Sequence, residues 1–354
     1  MNQNLGISVD FQAFAALACE GAEVWMEFTP DRPVEAAFFD AMGSALAAAN
    51  EATGPDGFGA SVIPTVAGGV TILKYPPSEQ ALRDWLDLYT ARLWAEGWGG
   101  SLHLAPAVRR PDWQRDLHAP ILTVFASYGE TPAAALCEAA VGWARRHGGP
   151  DEYLLSGGLT LADTTGELGR HLHRALEQRR MIGACRASAQ PGPLARISLT
   201  AHGHASYQLY DPEFAPIELA QQARETLTIG CEYTRWAAAT LTDRQSNGWA
   251  ILRRTLGQKI PAPGWTIAHN NPAWSTYVPD AFGMQLLNDE HLSRFADTSK
   301  WAVTEVAARS YLVEAPDLAA WLRPQGPPPE ILAAARADFG PAIAPADLPR
   351  NADS

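Results

Sequence analysis

The chain has 354 residues, of which 47% are hydrophobic and 19% charged, and its formal net charge is −12 at pH 7. This length allows two or three domains, and the composition is typical of a folded globular protein rather than a disordered one. The negative charge argues against binding to nucleic acid, which requires clustered Lys and Arg. No apolar run reaches the roughly 20 residues of a membrane helix, so we expect neither nucleic acid nor membrane as a partner.

Four cysteines are spread widely along the chain, at Cys19, Cys137, Cys185 and Cys231, with no Cys-x-x-Cys pair. Buried thiols in a reducing cytoplasm are the favoured interpretation, with disulfides or a zinc site as the alternatives. The N-terminus has no basic residues ahead of its short apolar stretch, which argues against a secretory signal. The sequence therefore predicts a cytoplasmic protein.

Residues 1–110 predict a ferredoxin-like α+β domain. A short helix over 9–20 precedes elements in the order β-α-β-β-α-β: Val24–Phe28, Val34–Ala52, Gly59–Val66, Val70–Tyr75, Glu79–Glu96 and Ser101–Leu104. The helix at 79–96 carries apolar residues at i, i+3, i+4 and i+7, with Ser78 as its N-cap and Gly97 as its stop. This order is that of the split βαβ arrangement.

Residues 119–260 predict a second, related α/β-sandwich unit. Its predicted elements are a strand at 121–125, a helix at 131–146, a strand at 153–161, a helix at 165–180 and a strand at 181–189. The alternating residues 194–210 predict one long strand or a hairpin, and 216–257 predict mostly helix.

Residues 261–354 predict a C-terminal α+β extension. It opens on Gly264–Val278, where Trp, Tyr, His and Asn residues are concentrated. The predicted elements are a strand at 274–278, a helix at 281–295, a strand at 303–313, a Pro-rich linker at 324–329, a helix at 330–339 and a frayed tail from 340.

Catalytic signatures are weak throughout the chain. Gly57-Phe-Gly59 has only the first two glycines of the dinucleotide fingerprint, and no Gly-x-Ser-x-Gly occurs. His202 and His204 would share one face of a strand, a geometry that can bind a metal, but no third ligand at a recognisable spacing completes the site. We therefore predict no catalytic residue, no metal ligand and no cofactor.

The aromatic segment offers the best candidate for contact with a partner. Trp and Tyr beside amides at an element boundary suit an interface, although Trp more often fills a core. The predicted partner-binding residues are Trp265, His269, Asn270, Trp274 and Tyr277.

Trp274-Ser-Thr-Tyr-Val278, followed by a predicted helix and the strand at 303–313, resembles the C-terminal part of bacterial immunity proteins of the type VI secretion immunity group. The resemblance implies non-enzymatic binding that neutralises a toxin, with a basic toxin or a secretion-system component as the partner. Two alternatives stay open: a metal-dependent enzyme with a site around His202 and His204, and a structural subunit of a larger bacterial assembly.

Overall fold

The computed structural model describes residues 7–9, 24–53, 59–73, 78–106, 111–114, 117, 119–129, 133–156, 159–163, 166–178, 182–201, 203–242 and 272–345. By its packing the chain divides into two compact units, one of Met1–Arg110 with Glu152–Ile182 and the other of Pro111–Asp151 with Gly183–Ser354. Helices and antiparallel sheet occur in both, so the predicted α+β class is confirmed. The division into three domains stays a prediction. No helix among the described residues is long and apolar enough to cross a membrane.

The first unit begins with a five-stranded sheet and two helices. Its elements are β1 (Ile7–Val9), β2 (Val24–Pro30), α1 (Ala36–Thr53), β3 (Gly59–Pro64), β4 (Gly69–Leu73), α2 (Glu79–Ala95) and β5 (Gly100–Pro106). The sheet order is β1-β5-β2-β4-β3, antiparallel except that β1 runs parallel to β5. The predicted helix over 9–20 lies outside the described residues apart from its first, Val9, which ends β1.

The two helices pack against this sheet through a continuous aromatic core. Phe28, Phe38 and Trp85 are fully buried in it, and the Phe38 ring lies 4.9 Å from that of Trp98. Ser78 caps α2 by accepting the backbone N–H of Ala81, as predicted. Gly97 follows with φ of 80°, a conformation that ends a helix and favours glycine.

The remainder of the first unit is a hairpin and a helix: β7 (Asp151–Ser156), β8 (Leu159–Asp163) and α4 (Leu168–Glu177). The single strand predicted at 153–161 is therefore wrong, because the chain turns back and pairs Glu152 with Asp163. His171 of α4 accepts the Val66 backbone N–H at 3.0 Å, which ties this part to the turn between β3 and β4.

The second unit holds the other large group of strands. Its elements are β6 (Ile121–Tyr128), α3 (Ala133–His147), β9 (Ile182–Ala187), β10 (Leu194–Leu199), β11 (His204–Tyr210), α5 (Pro216–Leu227), β12 (Thr234–Thr242), β13 (Met284–Asn288), α6 (Asp289–Ser293), β14 (Ala302–Ala307), β15 (Ser310–Glu314), α7 (Leu318–Trp321) and α8 (Pro329–Phe339). The strand order is β14-β15-β13-β12-β6-β11-β10-β9. Residues 194–210 form a hairpin, one of the two predicted possibilities.

The mostly helical prediction for 216–257 is wrong beyond Leu227. The chain enters β12, which pairs with β6 on one side and β13 on the other. Ala237, Ala238 and Ala239 favour helix intrinsically, but a central strand satisfies their backbone groups and buries them between two neighbours. Residues 243–257 lie outside the described part of the chain.

The predicted strand at 274–278 is wrong, and the helix predicted at 281–295 is confirmed only for Asp289–Ser293, which is α6. Pro272–Ser275 forms a short 3₁₀ helix, and only Val278 makes a single bridge, to Ile343. Met284–Asn288 is β13, whose first four residues are buried between β12 and β15. A short apolar run of this kind does not distinguish helix from buried strand by its periodicity.

The chain end corrects two further predictions. Residues 303–313 form a hairpin rather than one strand, with Arg309 at its turn in the left-handed region, φ 61°. The prediction that the tail frays from Gly340 is wrong for residues 340–345, and residues 346–354 lie outside the described part of the chain. Val278 donates its N–H to Ala342 at 2.9 Å and accepts that of Ala344 at 2.9 Å, which fixes this part of the tail beside the aromatic segment.

Candidate functional site

Trp274, one of the five predicted contact residues, lies in the core of the second unit. Its side chain is 3% exposed, and its ring lies 6.5 Å from that of Trp236. The Trp236 indole N–H donates to the amide oxygen of Gln285 at 2.9 Å. Tyr277 is partly exposed, with the Arg294 guanidinium 4.9 Å from its ring centroid. As folded, a partner can therefore reach Tyr277 more readily than Trp274.

Asn288 and His291 hold this turn in place. The Asn288 amide donates to the Ser275 carbonyl at 3.0 Å and accepts the His291 backbone N–H at 3.0 Å. The Asn288 backbone N–H in turn donates to His291 Nδ1 at 3.2 Å. His291 is fully buried, and burial lowers the pKa of its imidazole to about 4, so the ring is neutral near pH 7.

The other three predicted contact residues, Trp265, His269 and Asn270, lie outside the described residues, so the structure brings together only Trp274 and Tyr277 of the five. Contact of these residues with a partner stays a prediction.

Of the two histidines considered for metal binding, the structure describes His204. His204 is 2% exposed at the start of β11, and His202 lies outside the described residues. Among the residues that the structure describes, no group of three or more His, Cys, Asp or Glu could hold a metal ion.

A buried histidine and aspartate approach each other in the first unit. His171 Nε2 lies 3.9 Å from Asp163 Oδ1, and the Asp163 side chain is 1% exposed. Burial lowers the pKa of His171, although the neighbouring Asp163 raises it. Because His171 Nδ1 accepts the Val66 N–H, the ring proton sits on Nε2 in the neutral form. The imidazole then lacks a free basic nitrogen, so the pair is better suited to joining α4 to the β3–β4 turn than to catalysis.

An open apolar groove of about 710 Å³ lies in the second unit. It is bounded by the end of β11, the loop into α5, the end of β12 and α7. Most of the residues that line it are aliphatic, and the leucines and isoleucine among them are Leu209, Ile217, Leu219, Leu241, Leu318 and Leu322. Its volume is within the range of ordinary ligand sites.

Ile217 makes this groove unusual. The side chain is 80% exposed, against 40–45% for the other large hydrophobic residues exposed in the described chain, Leu88, Trp94 and Val303. It lies in the first turn of α5, after the proline at the helix start. The buried face of that helix carries Ala223 and Leu227, and Ile217 is not on it. An exposed aliphatic side chain at the edge of an apolar groove is a candidate interaction surface.

Carboxylates held by backbone N–H groups lie in, or next to, the chain segments that line the groove. Asp211 lines it and accepts the Glu213 N–H at 2.9 Å. Glu218 accepts the Ala215 N–H at 2.7 Å, and Asp317 accepts the Ala320 N–H at 3.2 Å. These bonds limit where the carboxylates can move, so each negative charge stays close to the backbone of its own segment.

Sequence reasoning missed the groove because its lining comes from separate parts of the chain. One local signal was available. Ile217 follows a proline that starts a helix, and it falls outside the apolar stripe formed by Ala223 and Leu227. An aliphatic residue on the polar side of a helix is a candidate for contact with something outside the fold.

Neither a protein-family model nor a curated protein matches this chain.

Proposed function

We propose that this protein works by binding another protein, without catalysis, in the manner of an immunity protein that neutralises a toxin. The observation that carries the proposal is the apolar groove, which is lined by Ile217, 80% exposed, and by the carboxylate of Asp211. Burying an exposed aliphatic surface is the main favourable contribution to most protein association. The resemblance of Trp274–Val278 to the type VI secretion immunity group supports the toxin as partner.

The net charge of −12 supports a basic toxin or a basic secretion-system component as that partner. Opposite charge accelerates encounter and disfavours wrong partners. We place the binding event in the cytoplasm, where the thiols of Cys137, Cys185 and Cys231, none of which forms a disulfide with another described residue, would stay reduced.

We also infer that residues 24–106 form a ferredoxin-like unit. Support comes from the sheet order β5-β2-β4-β3, its antiparallel pairing, and the packing of α1 and α2 into one core with that sheet. The extra strand β1 lies beside β5 at the edge of this arrangement.

Co-expression with the proteins encoded beside its gene tests the function. The tagged chain is purified with each neighbour in turn, and growth of cells producing that neighbour is measured with and without the chain. We expect one neighbour to inhibit growth, to elute with the chain as a stoichiometric complex and to lose its toxicity when the chain is present. Absence of any complex, together with unrelieved toxicity, would refute the proposal.

A further inference from the structure

We infer that the groove binds an amphipathic helix of a basic partner protein, with the apolar face of that helix on Ile217 and its cationic residues on the carboxylates in and next to the segments that line the groove. This inference rests on the proposed protein-binding function and specifies what the groove recognises. It follows from three properties of the site: its backbone, its lining and its charge.

The backbone around the groove favours a helix over an added strand. β11 is paired with β10 and β6, and β12 is paired with β6 and β13. Leu209, which lines the groove on β11, is paired on both sides and offers no free edge to an incoming strand, so recognition along β11 depends on side chains. A helix presents apolar side chains at i, i+3, i+4 and i+7 to such a groove without needing main-chain partners.

The lining favours an apolar face rather than a small polar ligand. Among the described residues that line the groove, Tyr210 and Asp211 have polar side chains, and the others are aliphatic, proline or phenylalanine. A small polar ligand would lose hydrogen bonds with water there and regain few. The apolar face of a helix has no hydrogen bonds with water to lose.

The charged residues near the groove favour a cationic partner over an anionic one. Among the described residues within two positions of the lining, the carboxylates are Asp211, Glu213, Glu218 and Asp317, and Arg323 is the one cation. The N-terminal turn of α5 is already occupied by the Glu218 carboxylate. Fatty acids, anionic lipid surfaces and nucleic acid would meet like charge, and so would a second copy of a chain with net charge −12. A cationic helix meets opposite charge.

Two synthetic helical peptides with the same leucine stripe test the inference directly. One carries lysine on its polar face and the other glutamate, and fluorescence anisotropy measures the binding of each to the full chain. We expect the lysine peptide to bind at least about tenfold more tightly, with an affinity that falls as salt is added. Equal binding of the two peptides, or tighter binding of the glutamate peptide or of oleate, would overturn the inference.

Two variants assign the binding to this groove. Ile217→Ser removes the exposed apolar contact without changing charge, and we expect it to weaken the lysine peptide about tenfold or more. Val303→Ser is the matched control, since Val303 is an exposed aliphatic residue on β14 that does not line the groove. Circular dichroism of both variants checks folding, and equal affinities for the two would overturn the assignment.

The same variants separate this inference from the proposed function. If a toxin partner binds the Ile217→Ser variant as tightly as the original chain, protein binding stands and the groove is not its site. If no neighbouring protein binds but the lysine peptide distinguishes Ile217→Ser from Val303→Ser, the groove is a helix site and the immunity function fails.

Discussion

Arg336 donates to both carboxylate oxygens of Asp280, with Nε 2.8 Å from Oδ1 and Nη2 2.6 Å from Oδ2. Asp280 is 3% exposed and also accepts the backbone N–H of Ala281 at 2.8 Å. This pair joins α8 to the segment that leads from the aromatic turn into β13. The ion pair raises the pKa of Arg336.

Arg336→Leu should destabilise the second unit. It leaves the Asp280 carboxylate buried without its counter-charge, and removing one member of a buried pair is costly. Because the Arg336 side chain is 33% exposed, water offsets part of the loss, and we expect about 1–3 kcal/mol from urea unfolding. Arg309→Gln is the control: Arg309 is 80% exposed in its pair with Asp289, and its loss should leave the urea midpoint nearly unchanged. Equal losses would show that the Asp280 pair contributes no more than a surface pair.

His291 should make the unfolding free energy depend on pH. Its folded pKa of about 4 lies below the ordinary value of 6.5. Between these values the unfolded chain binds a proton that the folded chain does not, so stability is lost as pH falls from 6.5 toward 4. The effect amounts to up to about 3 kcal/mol, with no further loss from this group below its folded pKa.

His291→Gln should flatten the dependence of urea midpoint on pH in that window. His171 has a lowered pKa from the same cause, so His171→Gln should remove a separate part of the slope. An NMR titration of the His291 ring checks the assignment, and a midpoint near 6.5 in the folded protein would contradict it.

Trp274→Ala should cost about 3–5 kcal/mol, because it leaves a cavity beside Trp236. Tyr277→Ala, at a partly exposed position, should cost about 1 kcal/mol. Trp274→Phe keeps most of the volume and should fall between them. Near-ultraviolet circular dichroism and urea unfolding measure the three variants. A Trp274→Ala protein of unchanged stability that has lost its partner would instead support the predicted contact role.

Arg309→Gly should be more stable than Arg309→Ala by about 1 kcal/mol. Both variants lose the ion pair with Asp289, but only glycine adopts φ of 61° at little steric cost. Comparing the thermal midpoints of the two variants therefore isolates the backbone strain of this turn. Equal midpoints would mean that the hairpin adjusts its φ without cost.

Local signals in the sequence were sufficient where an element is determined by its own residues. Ser78, the apolar spacing of the following helix, and Gly97 predicted α2 closely, because a cap, a stripe and a stop all act within one helix. The order of helices and strands along residues 24–106 was predicted for the same reason. Each element there has its own turn residues at its ends.

Tertiary structure decided the rest. Ala237–Ala239 and Met284–Leu287 are strands because neighbouring strands pair with them on both sides, a condition that no local pattern records. The groove also depends on contacts between distant segments of the chain. Leu209, Ile217, Leu241 and Leu318 are distant in the chain and line one surface only after the sheet, α5 and α7 have packed. The sequence by itself determined the class of fold, the acidic charge and the caps of individual helices, because composition and neighbouring residues control those. Contacts between distant segments decide which apolar residues are buried and which stay exposed. Only the tertiary structure supplies those contacts.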